Sequence, residues 1–513
     1  MESKEPTRSS LRNELYRHLR ARILSGQLTP GSRLPSSRAL ATQMGVSRNT
    51  VLAAYEQLWA EGYLEGRLGS GTYVTRSLPD ELLSAAVQPP IVPGDVAPGR
   101  FLSERGERIA SSPRTPLPVL TGHPEVRAFT VGLPDVDTFP KEAWGRLVTR
   151  RQRESTWEMM RYNHPAGYEP LRRAIAMHLA TSRGVRCTAD QIIIVSGSQQ
   201  ALDFCARMLV DPGDPVWVED PGYLGARSAL AAAGARFVPV PVDEEGLDVA
   251  TGIAREPNAR LAVVTPSHQF PLGYTMSLKR RLALIEWASR TGSWVLEDDY
   301  DADFRYVGRP LNALQGIDGP GRVIYIGTFS KALFPALRLG YLVAPPPLVE
   351  AFICAHLCSD MHAPVLQQAV LADFIQEGHF ERHLRRMRLL YAERQAVLVE
   401  AAERHLRGLI DIQACDSGLH VIGWLAPHLD EQSAARNAAA HDVDVWPLSL
   451  HTIHPYPKPG LILGYAPVTA GQIRAGTRRL AEALNAKASQ DSVVRVMSAP
   501  SRDRDLGMSS GCR

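Results

Sequence analysis

One lysine of the 513-residue chain stands where chemistry is expected. Lys331 follows the apolar run Val323-Ile-Tyr-Ile326 and the turn Gly327-Thr-Phe-Ser330, a strand-to-turn passage that delivers the next side chain to the carboxyl edge of a parallel sheet. A partly desolvated amine there is a Schiff-base candidate, although most lysines are surface residues. Other reactive groups end comparable apolar runs. Gly197, Ser198 and Gln199 follow Ile193-Ile-Val195 and open a helix, so they offer backbone N–H groups and a hydroxyl to an anion. Tyr223 ends Val218-Glu-Asp-Pro-Gly222, where it could stack on a flat ring or serve ordinary packing. Asp298 closes Trp294-Val-Leu-Glu297 with Tyr300 two residues on; an acid there can keep a ring nitrogen protonated, or cap a helix. Thr328 lies three residues before Lys331 and Arg338 seven after, both suited to phosphate, the arginine through a bidentate fork.

Together these are what a pyridoxal phosphate site requires: an amine for the aldehyde, an anion cradle, a stacking ring, a partner for the pyridine nitrogen and a phenol for the ring hydroxyl. The elements that must bring them together are apolar runs at Ile192–Val195, Val216–Glu219, Phe237–Val240, Leu261–Thr265, Trp294–Glu297, Val323–Ile326 and Leu339–Val343. Helical segments mostly separate them, such as Gln200–Leu209, Arg227–Ala233 and Leu278–Arg290. Such alternation predicts a mostly parallel, seven-stranded sheet covered on both faces. After Leu348 come long helices, Pro364–Glu377 and His379–Arg404, then shorter segments with strands at Leu419–Trp424 and Leu461–Tyr465, which predicts a small α+β C-terminal domain.

Composition bounds the rest. A hydrophobic content of 44% and a charged content of 22%, with no transmembrane-length apolar run or signal-type segment, predict a multidomain cytoplasmic protein without a membrane partner. Six cysteines, at 187, 205, 354, 358, 415 and 512, show no metal-type pairing, so they are read as reduced core thiols and no metal is expected. The net charge of +3 is unevenly spread. Residues 8–76 carry ten arginines and no lysine against four glutamates, a net +6, which leaves −3 for the remainder. That basic piece alone is expected to meet a polyanion.

Within it, Leu11, Leu15, Leu19 and Ile23 recur at helical spacing before Ser25-Gly26. A second helix is capped by Ser36 or Ser37; a third, capped at Val46-Ser47, runs from Arg48 to Glu61 with Val51, Tyr55, Leu58 and Trp59 on its inner face. Gly62-Tyr-Leu-Glu-Gly-Arg-Leu-Gly-Ser-Gly-Thr-Tyr-Val74 adds two short strands around a Gly-rich turn, completing a winged helix-turn-helix that is mostly α. Residues 11–76, with Leu34-Pro-Ser-Ser-Arg-Ala-Leu-Ala41 and Val46-Ser-Arg-Asn-Thr-Val51, resemble the GntR-type DNA-binding domain. Ser47, Arg48, Asn49 and Thr50 would then enter the major groove, Arg33 and Arg38 would meet phosphates, and Arg67, Ser70 and Thr72 would form the wing's contact with the adjacent groove.

From about Phe129 to Ala486 the chain resembles a fold-type I aminotransferase, on Tyr162-Asn-His-Pro-Ala-Gly-Tyr168, Thr265-Pro-Ser-His-Gln-Phe-Pro-Leu-Gly273 and Gly327-Thr-Phe-Ser-Lys331. The two halves together resemble the MocR subfamily of GntR-type bacterial transcription regulators. That resemblance implies residues 8–76 as DNA-binding domain and 125–487 as effector body; lost periodicity and a Pro-, Gly-, Ser- and Arg-rich composition predict a flexible linker at 77–124, and the polar, Arg/Ser-rich residues 488–513 are expected to be a disordered tail. It also implies a head-to-tail homodimer on double-stranded operator DNA, sensing pyridoxal phosphate itself or an amino compound through aldimine chemistry at Lys331. Asp298 would pair with the pyridine nitrogen, Tyr300 with the ring hydroxyl, Tyr223 would stack, His268 would contact the ring, and Gly197, Ser198, Gln199, Thr328 and Arg338 would cradle the phosphate.

Two departures bear on activity. Where aminotransferases carry an arginine for the substrate carboxylate, this chain reads Gly460-Leu-Ile-Leu-Gly-Tyr465, with Leu461 or Ile462 at the expected position. Losing such charge-assisted bonds forfeits about 1.5–3 kcal/mol, which argues against efficient turnover of α-amino acids. The usual Asn-Pro is also altered, to Gln269-Phe-Pro271. An aminotransferase carrying an accessory DNA-binding domain is the alternative.

Overall fold

The computed structural model describes residues 8–67, 71–76, 102–112, 125–308 and 311–485, without the side chains of residues 8–10, Arg67 and Glu158. Ser70, the Arg67 side chain, the 488–513 tail and most of the expected linker therefore lie outside the described residues. The chain separates into two units, Met1–Arg100 and Phe101–Arg513.

In the first unit, helices α1 (Arg8–Leu24), α2 (Ser37–Met44) and α3 (Arg48–Ala60) precede strands β1 (Leu64–Arg67) and β2 (Gly71–Val74), which pair antiparallel. The Ser36 hydroxyl accepts from Ala39 N and the Ser47 hydroxyl from Thr50 N, so the start of each helix is satisfied by its cap. Leu15, Leu19, Ile23, Leu40, Val51, Tyr55 and Leu58 form the core. Trp59 does not join it. One residue turns a helix by about 100°, so the position after fully buried Leu58 faces away, and Trp59 is 58% exposed. It lies against the wing strand, where a Cβ on Gly66 would come within 3.0 Å of its ring.

The second unit is built on an eight-stranded sheet. Its strands are β3 (Ile192–Val195), β4 (Pro215–Asp220), β5 (Arg236–Asp243), β6 (Gly246–Leu247), β7 (Leu261–Val264), β8 (Trp294–Asp298), β9 (Val323–Thr328) and β10 (Gly340–Val343). Their order is β3-β10-β9-β8-β7-β4-β5-β6. The run β9-β8-β7-β4-β5 is parallel, whereas β10 is antiparallel to both neighbours. The seven expected strands are present. The eighth, β6, is a two-residue return on β5 paired Asp243↔Gly246, too short to show a period.

Alternation along the strands divides the core. Val216, Val218, Leu261 and Val263 pack with Phe204, Leu230 and Phe352 on one face; Trp217, Ala262 and Val264 pack with Leu284 and Trp287 on the other. A second sheet of β11 (Ile410–Ile412), β12 (His420–Leu425), β13 (Trp446–Pro447) and β14 (Gly460–Gly464) is antiparallel in the order β11-β12-β14-β13.

Two expectations are corrected. Inside the segment read as a linker, residues 104–111 form a helix whose cap, Ser103, accepts from Gly106 N and which packs on the helix Leu224–Ala233. The flanking prolines hid a sound N-cap with acids in the first turn. Of the thiols, Cys205 is buried, but Cys354 and Cys358 are exposed rather than in the core.

Trp217 and Trp287 stack at 3.9 Å and 16°, and their ring N–H groups donate to the carbonyls of Glu256 and Pro257. Trp287→Ala is expected to cost about 3–5 kcal/mol, read as a lowered urea midpoint of the second unit's unfolding by circular dichroism.

Candidate functional site

Lys331 lies in the turn that leaves β9, and its ammonium donates to the Gly132 carbonyl. Burial pulls its pKa below the usual lysine value, opposed by Asp301 and Asp298. Three consecutive acids end the neighbouring strand β8. Glu297 accepts from the N–H groups of Leu314 (2.7 Å) and Gln315 (2.9 Å). Asp299 accepts from Arg183 (2.8 and 3.0 Å) and the Tyr325 hydroxyl (2.6 Å). Asp298, between them and on the other side of the pleat, keeps a buried Oδ1 without a partner. Burial pushes its carboxyl up to about 7, Asp299 adds to this, and Lys331 opposes it. An unpaired buried oxygen costs about 1–3 kcal/mol, so Asp298 is arranged for a donor from outside the chain.

Beside it, His268 Nδ1 lies 3.0 Å from the Tyr300 hydroxyl and 2.9 Å from Asp301 Oδ2. Burial disfavours the imidazolium, but the Asp301 carboxylate overrides it and raises the pKa to about 10. Burial, with Asp301 next, holds the Tyr300 phenol well above its ordinary value. Ligand atoms of His268, Asp301 and His420 fall within 4.8 Å of one another. Hydrogen bonding already accounts for much of that group, since His420 Nε2 meets the Pro271 carbonyl at 3.0 Å.

The anion end is built by β10, which pairs Gly340 with both Val195 and Thr328. Gly197, at φ 99°, caps the helix Ser198–Leu209. A Cβ there would meet the Arg338 guanidinium at 3.2 Å, while Arg338 itself donates to the Ser196 carbonyl. Thr328, the β9 residue paired with Gly340, accepts on its hydroxyl from Ser330 N (3.1 Å). Gln199 is drawn aside, its amide donating to the Gly225 carbonyl (2.9 Å). Tyr223 stands edge-on to Phe270 at 5.8 Å.

A desolvated amine, an acid lacking a donor, a phenol and a helix N-terminus facing an arginine match pyridoxal phosphate group by group. Two participants escaped the sequence reading. Asp301 lies three residues past Asp298 in the run Glu297-Asp-Asp-Tyr-Asp301, which was a signal; Gly132 left none.

In the first unit, Ser47 and Thr50 bond each other (2.8 Å), leaving Arg48 and Asn49 exposed at the start of α3. Arg48 reaches the Ser37 hydroxyl (3.3 Å), Arg33 and Arg38 are exposed, and the half-buried Thr72 accepts Leu34 N on its carbonyl (2.8 Å).

Such a fold and site define a pyridoxal-phosphate-binding body of the aminotransferase type, carried with a winged helix. Residues 129–445 match the family of class I and II aminotransferases and residues 11–74 the gntR family of bacterial regulatory proteins. The chain is 44% identical to the probable rhizopine catabolism regulatory protein MocR of Rhizobium meliloti, over 92% of this chain and 93% of that protein. It is 36% identical to the pyridoxine biosynthesis transcriptional regulator PdxR of Corynebacterium glutamicum, over 77% and 79%. Among solved structures, the α-aminoadipate aminotransferase of Thermus thermophilus, complexed with N-(5'-phosphopyridoxyl)-L-leucine, superimposes with a TM-score of 0.68 at 29% identity, over 75% of this chain and 97% of that one. The chain belongs to the MocR subfamily of GntR-type transcription regulators. It is thus a DNA-binding regulator whose aminotransferase-like body binds pyridoxal phosphate. No helix among the described residues is long and apolar enough to cross a membrane.

Lys331→Ala is expected to abolish the visible absorbance of the cofactor-loaded protein; a retained, borohydride-reducible band would assign attachment to another lysine. Asp301→Asn tests the buried pair in the cofactor-free protein. Because His268 is raised from 6.5 to about 10, the pair stabilises fully below pH 6.5 and its contribution is lost as pH rises through about 10. The variant should lose about 3–5 kcal/mol near neutral pH, with the difference in thermal midpoint from wild type shrinking toward pH 10.

Proposed function

We propose that this regulator senses either pyridoxal phosphate or an amine-bearing effector, and that occupancy of the body shifts the affinity of the winged helices for operator DNA. The observation that carries this is the unpartnered Asp298 oxygen beside the desolvated Lys331, in a chain whose N-terminal piece is strongly basic. In this reading Lys331 holds the cofactor through its amine, Asp298 bonds the ring nitrogen, Tyr300 bonds the ring hydroxyl and Tyr223 stacks. Ser198, Thr328, Arg338 and the backbone at Gly197 hold the phosphate. Gln199 supports the Tyr223 turn through Gly225, and His268 steadies Tyr300. The chemistry supplied by the bound cofactor is an aldehyde carbon that amines attack.

Differential binding to two arrangements of the protein is what converts ligand occupancy into a change in DNA affinity. We assign those arrangements to a head-to-tail homodimer in the cytoplasm. Supporting it, Trp157, Met160 and Tyr162 form a run about three-quarters exposed on the single chain, as an unpaired interface would be. Arg33, Arg38, Ser47, Arg48, Asn49, Thr50, Arg67, Ser70 and Thr72 are the proposed DNA contacts. Arg48 and Asn49, exposed at the start of α3, are assigned to the major groove, and Arg33 and Arg38 to phosphates.

Footprinting of the purified protein on its own promoter region, with and without pyridoxal phosphate, tests the reading; no footprint in either condition overturns it. Arg48→Ala should weaken operator binding by about 1–3 kcal/mol while leaving the cofactor's absorbance unchanged. Equal loss of both would contradict separate DNA-binding and cofactor-binding modules.

A further inference from the structure

We propose that the amine accepted by this body bears no carboxylate on its nitrogen-bearing carbon. This deepens the amine-responsive reading above and rests on it. Of Leu461 and Ile462, the two positions where a carboxylate-gripping arginine is expected, Ile462 is the one that joins the cluster around Phe270, and it is wholly buried in β14 directly opposite Ile422 of β12. It belongs to an apolar cluster with Val131, Phe270, Leu272, Trp446 and Leu448. That wall reaches the reacting groups. Val131 precedes the glycine whose carbonyl takes the Lys331 ammonium, and Phe270 stands edge-on to Tyr300 (6.0 Å) as well as to Tyr223. A carboxylate pressed here would be desolvated against aliphatic and aromatic carbon, which is costly unless a cation meets it.

Each buried guanidinium among the described residues already donates elsewhere in the chain, only the Nε of Arg172 and of Arg227 being left without a partner. The buried arginines are Arg172, Arg183, Arg227, Arg281 and Arg394. Arg172 donates to the Ala189 carbonyl, Arg183 to Asp299, and Arg227 to the carbonyls of Leu450 and Thr452. Arg281 donates to the carbonyls of Met276, Asn312 and Pro266, and Arg394 to Asp135. Arg338, at the anion end, is turned to the Ser196 carbonyl.

The local field has the complementary sign. Asp298 and Asp301 both favour a cation at Lys331, so an incoming ammonium is drawn to the same place. A cleft adjoins this wall at Ile422 and His420. The cleft, of about 950 Å³, runs between the two sheets, with Pro271, Tyr274, His420, Ile422, Trp424 and Tyr456 among its walls. Its cations are engaged, Arg255 with the Pro239 carbonyl and Lys458 over the Trp424 ring at 5.0 Å. Ile422 and Trp424, two apart on β12, carry the wall that begins at Ile462 outward along one face of the small sheet.

The test uses the full-length, cofactor-loaded protein and matched pairs differing only by the carboxylate: ethanolamine against L-serine, and phenethylamine against L-phenylalanine. Visible absorbance is followed on titration. In at least one pair the amine is expected to perturb the band at a concentration about tenfold or more below that of its amino acid. Equal or tighter binding of the amino acid in both pairs overturns the proposal, as does the absence of any response to all four compounds. Ile462→Arg should shift the ratio toward the amino acid by at least about tenfold, and an unchanged ratio also overturns it. If that variant fails to fold, the wild-type ratios still decide. Operator binding is measured in parallel; an amine preference with unchanged DNA affinity supports this proposal and overturns the regulatory reading instead.

Discussion

Burying several carboxylates at one sheet edge is the constraint to which this body's architecture answers. An acid taken out of water must be paired, hydrogen-bonded or protonated, and Glu219, Glu297, Asp298, Asp299 and Asp301 are all buried. Four are provided for. Glu219 accepts from Thr265 (2.7 Å) and Gln269 (3.1 Å), Glu297 caps a short helix, Asp299 takes Arg183, and Asp301 takes His268. Only Asp298 keeps an orphan oxygen, and the lysine that faces it is itself desolvated. The scaffold spends its arginines, helix ends and hydroxyls on the neighbours, leaving one acid and one amine open to a ligand.

Strand order explains how both ends of that ligand are served. The reversed strand β10, inserted between β3 and β9, brings the turn after β3 beside the turn after β9. The approach is close, since a Cβ on Gly340 would lie 2.9 Å from the Gly197 Cα. A helix N-terminus and Arg338 thereby converge from segments about 140 residues apart. The parallel neighbours β8 and β9 deliver the acid and the amine from adjacent turns.

The first unit follows a separate logic, because its function rests on charge at a surface and not on burial. Its core is the inner faces of three helices closed by Leu34, Tyr63, Leu64 and Val74, and exposed arginines remain outside it for a polyanion. Ser47 and Thr50 are engaged in capping α3, which orients Arg48 and Asn49 outward.

Much of this was legible in order along the chain. Continuous apolar runs, helical spacing and Gly-rich turns are local properties, and they carried the winged helix, the seven expected strands and the acid, amine and phenol near their ends. Short or masked local signals were missed: the two-residue β6, the proline-flanked helix 104–111 and the outward turn of Trp59. The sequence by itself determined which chemical groups the protein owns and that they lie at strand ends, because residue type and periodicity are written locally. Tertiary structure alone decided which of three consecutive acids stays unpaired, that Asp301 charges His268, that Gly132 receives Lys331, and that Ile462 lies in an apolar wall. Those outcomes depend on partners tens to hundreds of residues away, and desolvation and pairing act on distance in space, which the order of residues does not state.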